Sequence, residues 1–248
     1  MIETNPDLDG TKASAIVVAA GLGRRMGTET RKAFLDLGGR PLYRHAVERF
    51  LACSAIDEVV LVVHADDVAS TRSAVGSDSN SRVVVVEGGA ERWHSVRRGL
   101  AASRGPRDGI VLVHDAARPF FDDALVRRVI EAARLHGAAI PARPVVDTLK
   151  RVEDGFGGPT VSRDHLVRVQ TPQGFRRGLL EGAFEDWDEE RGHPTDESQV
   201  IEAAGGRVRI VDGSERNSKI TTIEDLENAR RWLATGLDAH HESKERSR

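Results

Sequence analysis

Five short apolar runs, alternating with helix-patterned stretches, constrain this 248-residue chain more than any other feature. The runs fall at residues 15–20, 59–63, 83–86, 110–114 and 138–142. Each is short and almost wholly apolar, as a strand buried on both faces must be. Between them, residues 42–53, 66–75, 91–103 and 122–136 repeat their apolar positions at helical spacing. Such alternation predicts a mostly parallel sheet with helices covering both faces, a Rossmann-like α/β architecture. Right-handed crossovers then bring every strand's C-terminal end to one edge, where ligands bind in such sheets. Residues 21–25, 87–89 and 114–118, all polar or glycine-rich, follow the first, third and fourth strands. They are expected to meet there.

The pattern breaks after Pro144. Residues 147–152 alternate in character, 153–159 are turn-forming, and 160–163 begin a return, which predicts a β-hairpin. A lone two-stranded hairpin is marginal in water, so a β-arm at about 144–167 is expected to pack on something, most simply a second copy of the chain. A hairpin lying over its own domain is the alternative that the pattern leaves open. Helical pattern returns at 176–187 and again from Thr195, where Thr195 or Asp196 can cap it. A strand at 207–212 and a helix at 222–233 follow. The expectation is one domain over residues 13–235, with disordered tails at 1–12 and 236–248, which are polar and without periodicity.

The first run leads into GLGRRMGTETRK, residues 21–32. Gly21 and Gly23 allow a tight turn with bare N–H groups that an anion can approach. Arg24, Arg25 and Lys32 add positive charge to the same loop, so a nucleoside triphosphate is the expected ligand. Two common phosphate motifs do not apply. The dinucleotide fingerprint needs glycine where Met26 stands, and a P-loop needs a G-K-[ST] tripeptide that the chain lacks.

Composition narrows the partners. A formal net charge of −3 with no basic block argues against nucleic acid, and no apolar run approaches a membrane span. The first residues are polar and acidic, unlike a signal peptide, which makes the cytoplasm the expected location. The single cysteine, Cys53, sits among apolar residues and is expected to be buried and inert. The nine histidines show no zinc-ligand spacing.

Seven strings, AAGLGRRMG with Lys32, GGAERWHSV, VHDAARPF, PVVDTLKR, QTPQGF, TDES and NSKIT, occur in an order that resembles the 2-C-methyl-D-erythritol 4-phosphate cytidylyltransferases. The resemblance covers roughly residues 14–234. It implies a nucleotide-diphospho-sugar transferase type of fold, a protruding arm, a homodimer, and Mg²⁺-dependent cytidylyl transfer from CTP to a small alcohol phosphate. By that resemblance Arg25, Lys32, Lys219 and Arg163 are catalytic, with Arg163 reaching from the arm of a partner subunit. Ala19, Ala20, Gly21, Gly23, Arg24, Gly88, Gly89, Ser95 and Asp115 are expected at the nucleotide. Asp115, Ala116, Arg118, Thr148, Arg163, Thr171, Thr195 and Lys219 are expected at the alcohol phosphate, with Asp115 a candidate ligand for Mg²⁺. Two positions depart from the family pattern: Arg31 stands where proline is common, and Ala90 where an acidic residue is common. A ribitol 5-phosphate cytidylyltransferase and a silent nucleotide-binding subunit are the alternatives that these motifs leave open.

Overall fold

The computed structural model describes residues 13–21, 30–76, 82–188, 190 and 192–235. Its elements run β1 (Ala13–Val18), β2 (Asp36–Leu37), β3 (Arg40–Pro41), α1 (Leu42–Ala52), β4 (Ile56–Val63), α2 (Val68–Gly76), β5 (Val83–Glu87), α3 (Arg92–Ala102) and β6 (Ile110–Asp115). They continue with α4 (Asp123–His136), β7 (Ala138–Pro144), β8 (Leu149–Glu153), β9 (Phe156–Val161), β10 (Val167–Val169) and β11 (Gln173–Arg176). The last are α5 (Arg177–Glu185), α6 (Glu197–Ala203), β12 (Arg209–Asp212) and α7 (Ile223–Ala234).

Strands β5, β4, β1 and β6 lie side by side and parallel. Strand β11 is then inserted antiparallel between β6 and β7, and β12 pairs parallel with β7. The sheet is therefore mostly parallel, as the alternation predicts, with two reversed strands, β10 at the edge beside β7 and β11 within the sheet, that the sequence pattern does not announce. Strand β11 has only four residues, three of them buried, so it carries no alternation to read. At Gly174 an added Cβ would meet Val129 Cγ1 at 2.7 Å, and glycine there lets α4 lie close on the sheet.

Helices cover both faces because each presents an apolar stripe to the sheet. On one face Phe50 of α1 packs with Leu125 and Val129 of α4. On the other, Trp93 of α3, Leu180 of α5 and Ile201 of α6 surround Val111 and Val113. Each such fully buried side chain stabilises the fold by about 1.5–3 kcal/mol. Local signals set the ends of α4. The Asp122 carboxylate accepts from Leu125 N–H at 2.7 Å, and Gly137, at φ 88°, ends the helix where a side chain would be strained.

Several expected boundaries move, and two of the shifts fall at the site and the hairpin. The first strand ends at Val18 rather than at 20, so Ala19 and Ala20 already belong to the loop, although Ala19 N–H still reaches Val62 O at 2.7 Å. The returning strand of the hairpin begins at Phe156, earlier than 160, because the turn is only Asp154-Gly155. Both residues have positive φ, 50° and 83°, as a two-residue type I′ hairpin requires. Strands β8 and β9 pair with each other and with no other described strand. The tails at 1–12 and 236–248 lie outside the described residues. No described helix is long and apolar enough to cross a membrane.

Candidate active site

The carboxyl ends of β1, β4, β5 and β6 surround a cavity of about 380 Å³. Ala19, Ala20 and Gly21 line it from the end of β1, and Lys32 from the turn beyond that loop. Gly89, Ser95, Asp115, Ala116 and Lys219 also line it. Sequence positions 200 residues apart thus converge as the sheet topology demands. A larger cavity of about 620 Å³ lies beside Phe120 and Trp232, and none of the expected site residues lines it.

Close backbone approach builds the nucleotide side. A Cβ on Gly88 would sit 2.4 Å from Ala20 Cβ, so glycine there lets the loops after β1 and β5 touch. Gly89 N–H donates to Ser95 Oγ at 3.1 Å, and that hydroxyl donates in turn to Glu91 O. Ser95 is 1% exposed, so its hydroxyl braces the glycine turn from inside α3.

Part of the cavity lining is an ion network. Asp115 Oδ1 accepts from Arg92 Nε at 3.1 Å, and Oδ2 from Lys219 Nζ at 2.7 Å. Arg92 Nη1 also donates to Glu197 Oε1 at 2.6 Å. Burial alone would raise the Asp115 pKa. Arg92 and Lys219 beside it more than offset that and hold the carboxyl well below the usual carboxylate range. Glu197 goes the other way: its burial raises it above the ordinary range, against the pull of Arg92. Its second oxygen, Oε2, is buried without a partner.

Beneath Asp115 lies a neutral relay. His114 Nε2 sits 3.0 Å from Arg118 O, which can only accept, so Nε2 carries the ring proton. Nδ1 is then an acceptor and takes the Thr171 hydroxyl proton across 3.0 Å. Thr171 Oγ1 in turn accepts from Asp115 N–H at 3.1 Å. Complete burial pushes the His114 pKa down to about 3, which keeps the ring neutral and the relay intact. Thr171, 4% exposed, therefore orients the Asp115 backbone from below. Arg118 also faces inward, donating to Asn217 O at 2.7 Å and to Val169 O at 3.4 Å. It ties the turn after β6 to the segment that carries Lys219.

The remaining expected residues lie elsewhere. Thr148 and Arg163 are exposed at the base of the hairpin, where Arg163 Nη1 donates to Val146 O. Thr195 is exposed and bonded to Gln199 Oε1, and it is Asp196 that caps α6. None of the three lines the 380 Å³ cavity. Gly23, Arg24 and Arg25 lie outside the described residues. Arg92 and Glu197 went unassigned in the sequence, although each lies within a matched string; no local pattern pairs residues 105 positions apart.

The described residues do not form a protein cage for Mg²⁺. Both oxygens of Asp115 are held by cations, and no group of three His, Cys, Asp or Glu side chains among the described residues is arranged for a metal.

A family model described as IspD, 2-C-methyl-D-erythritol 4-phosphate cytidylyltransferase, matches residues 13–235. A 2-C-methyl-D-erythritol 4-phosphate cytidylyltransferase of Syntrophotalea carbinolica is 41% identical over 225 residues, covering 90% of this chain and 97% of that one. A bifunctional IspD/IspF enzyme of Rhodospirillum rubrum is 43% identical over 240 residues, covering 92% of this chain; the chain spans only 61% of that relative's length. Among solved structures, a 4-diphosphocytidyl-2C-methyl-D-erythritol synthase of Anaerococcus prevotii superposes with a TM-score of 0.79 at 31% identity, covering 93% of this chain and 100% of its own. The Thermus thermophilus cytidylyltransferase gives 0.75 at 36% identity, covering 90% and 100%. With its fold, its cavity and its sequence in agreement over residues 13–235, the chain belongs to the IspD family, the 2-C-methyl-D-erythritol 4-phosphate cytidylyltransferases.

Proposed function

We propose that the chain transfers a cytidylyl group from CTP to 2-C-methyl-D-erythritol 4-phosphate, the reaction for which its family is named. The products are 4-diphosphocytidyl-2-C-methyl-D-erythritol and pyrophosphate, a step of non-mevalonate isoprenoid biosynthesis. The observation that carries this reading is one cavity lined together by Lys32, Lys219 and the glycine backbone of the loops after β1 and β5. A phosphate oxygen of the alcohol phosphate attacks the α-phosphorus of CTP. A new P–O bond forms while the bond to the β-phosphate bridging oxygen breaks, and pyrophosphate leaves in line. The nucleophile is already an anion, so the reaction needs no general base. What it needs is two polyanions held together and charge stabilised at phosphorus, by positioning and fixed cations. Lys32 and Lys219 serve as point charges there. Asp115, itself bound by two cations, aims the Lys219 ammonium and keeps it from wandering. Arg25 completes the cation set in this reading and Arg24 adds charge to the loop.

Magnesium belongs to the triphosphate in this reading, bound by phosphate oxygens and water as is usual for that ion, with Asp115 given to the cations instead. The charged substrates and the single cysteine suit a cytoplasmic setting. Pyrophosphate release, assayed with the four ribonucleoside triphosphates against the methylerythritol and ribitol phosphates, tests the assignment. Turnover is expected with CTP and the methylerythritol phosphate, and preference for another pair would overturn it.

The hairpin is assigned to a homodimer. Val152 and Phe156 are 74% and 79% exposed, one on each face of a two-stranded sheet that cannot support itself. A second copy packed on the arm would cover them and bring Arg163 and Thr148 to the alcohol phosphate of the neighbouring site. Sedimentation is expected to give twice the chain mass, and Phe156→Glu a monomer with much reduced turnover. A fully active monomer would rule out Arg163 acting from a partner.

A further inference from the structure

Lys32 enters the cavity from a single 3-10 turn, Lys32–Phe34, and two contacts decide where that turn sits. On its far side Ala33 is buried and the Phe34 ring packs on Tyr43 with centroids 5.1 Å apart. On its near side the anchor is Arg31. The Arg31 carbonyl accepts from Phe34 N–H at 2.8 Å, and its guanidinium leaves the turn altogether. Nη1 lies 3.0 Å from each oxygen of Asp67, and Nη2 reaches Asp66 Oδ2.

The two aspartates sit at the start of the segment after β4, Asp67 half-buried and Asp66 69% exposed. They follow β4 directly, in the 3-10 turn Ala65–Asp67, and His64 Nδ1 accepts from Asp66 N–H at 3.3 Å. His64 itself lines the cavity, and Val63 before it is fully buried. Asp67 and Arg31 are only 18% and 22% exposed, so solvent and salt screen this pair less than an ordinary surface ion pair. A guanidinium shared between two carboxylates also has a defined geometry that a single point charge lacks.

We infer that Arg31 is a positioning residue: its bridge to Asp66 and Asp67 ties the Lys32 turn to the end of β4 and so places the Lys32 ammonium. The bridge does its work through backbone geometry. Arg31 sits at φ −59°, ψ 137°, an extended entry to the turn that the side-chain bridge holds in place. That φ is the value a proline ring imposes covalently, so proline can supply the same entry without the ion pairs. The inference rests on the reading of Lys32 as a triphosphate cation.

The test is a kcat and KM comparison for CTP in four variants, each checked for an unchanged melting transition. Arg31→Ala is expected to lower kcat about tenfold, because a misplaced cation loses transition-state stabilisation rather than ground-state binding alone. Asp66→Asn with Asp67→Asn removes both the bridge and the carboxylates that Arg31 masks, and is expected to lower kcat similarly. Adding Arg31→Pro to that double variant restores kcat to within about twofold of native, since proline fixes φ directly. Adding Arg31→Ala instead leaves it low. Unchanged kcat in Arg31→Ala, a change confined to KM, or equal kcat with proline and alanine at 31 would each overturn the inference. Lys32→Ala run alongside separates the two claims. If it abolishes turnover while Arg31→Ala is silent, the anchor fails and the reading of Lys32 stands; if Lys32→Ala is itself silent, that reading fails first.

Discussion

Lys32→Ala is expected to lower CTP-dependent pyrophosphate release by about 10²–10³-fold at saturating substrate, the usual cost of removing one preorganised charge-stabilising group from a closed site. The expectation follows from where the ammonium sits. It lines the same cavity as Lys219, which the proposed reaction assigns to the α-phosphate of CTP. Lys219 is already shared with Asp115 at 2.7 Å, so it cannot simply take over the missing charge. The fold should survive the change. Lys32 is only half-buried, and the contacts that seat its turn, buried Ala33 and the Phe34–Tyr43 packing, remain. A melting transition within error of native, with turnover lost, is therefore the expected pair of results. Lys32→Arg keeps the charge but broadens its geometry, and should recover part of the loss. Full turnover in Lys32→Ala, measured by coupled pyrophosphate detection, would remove Lys32 from the mechanism.

Much of this site is legible in the sequence because sheet topology turns sequence order into position. Once residues 15–20 and 110–114 are read as parallel strands, the loops that follow must meet, and Gly21 and Asp115 do line one cavity. The reversed strand β11 is not legible. A four-residue segment buried on both sides by β6 and β7 shows no period, and its direction depends on a turn rather than on composition. Residue roles are harder still. Ser95 and Thr171 carry hydroxyls suited to contacting a substrate, and both also have partners inside the protein, Ser95 on the Gly89 turn and Thr171 between His114 and Asp115. Type and neighbourhood in sequence cannot reveal that, because a hydroxyl's partners are set by packing. Arg92 is the converse case. It reads as one more charge at the start of a helix, and only the fold makes it the shared partner of Asp115 and Glu197.

That shared position makes Arg92→Met the substitution with the largest expected effect on stability. Methionine fills much of the volume but leaves Glu197, 1% exposed, with no cation and an oxygen already unpartnered. Breaking one side of a buried ion pair costs about 3–5 kcal/mol when the other side must stay charged. Glu197 can escape that cost by keeping its proton, so the loss depends on pH. Burial already raises the Glu197 pKa above its unfolded value of 4.5, and removing Arg92 raises it further. Above that unfolded value, the unfolded chain releases the Glu197 proton while the folded variant retains it. Once pH passes the raised pKa that Glu197 has in the native protein, native has lost that proton and the variant still holds it. Each further pH unit then costs the variant about 1.4 kcal/mol relative to native, until its own buried carboxyl ionises. Asp115 also loses Arg92, the strongest of the cations that depress its pKa, so its pKa rises in the variant although Lys219 still holds it. A Glu197→Gln background leaves that change in place and so separates it from the Glu197 effect. His114 stays neutral through the same range in both proteins and cancels. Urea unfolding of native and variant at pH 8 and pH 5 is expected to show a gap of several kcal/mol at pH 8 that narrows sharply at pH 5. Adding Glu197→Gln to Arg92→Met should remove the pH dependence of the gap, since the buried amide has no proton to release. A gap of equal size at both pH values would mean that Arg92 supports the fold through packing and Asp115 alone, and that the Glu197 charge is not what it neutralises.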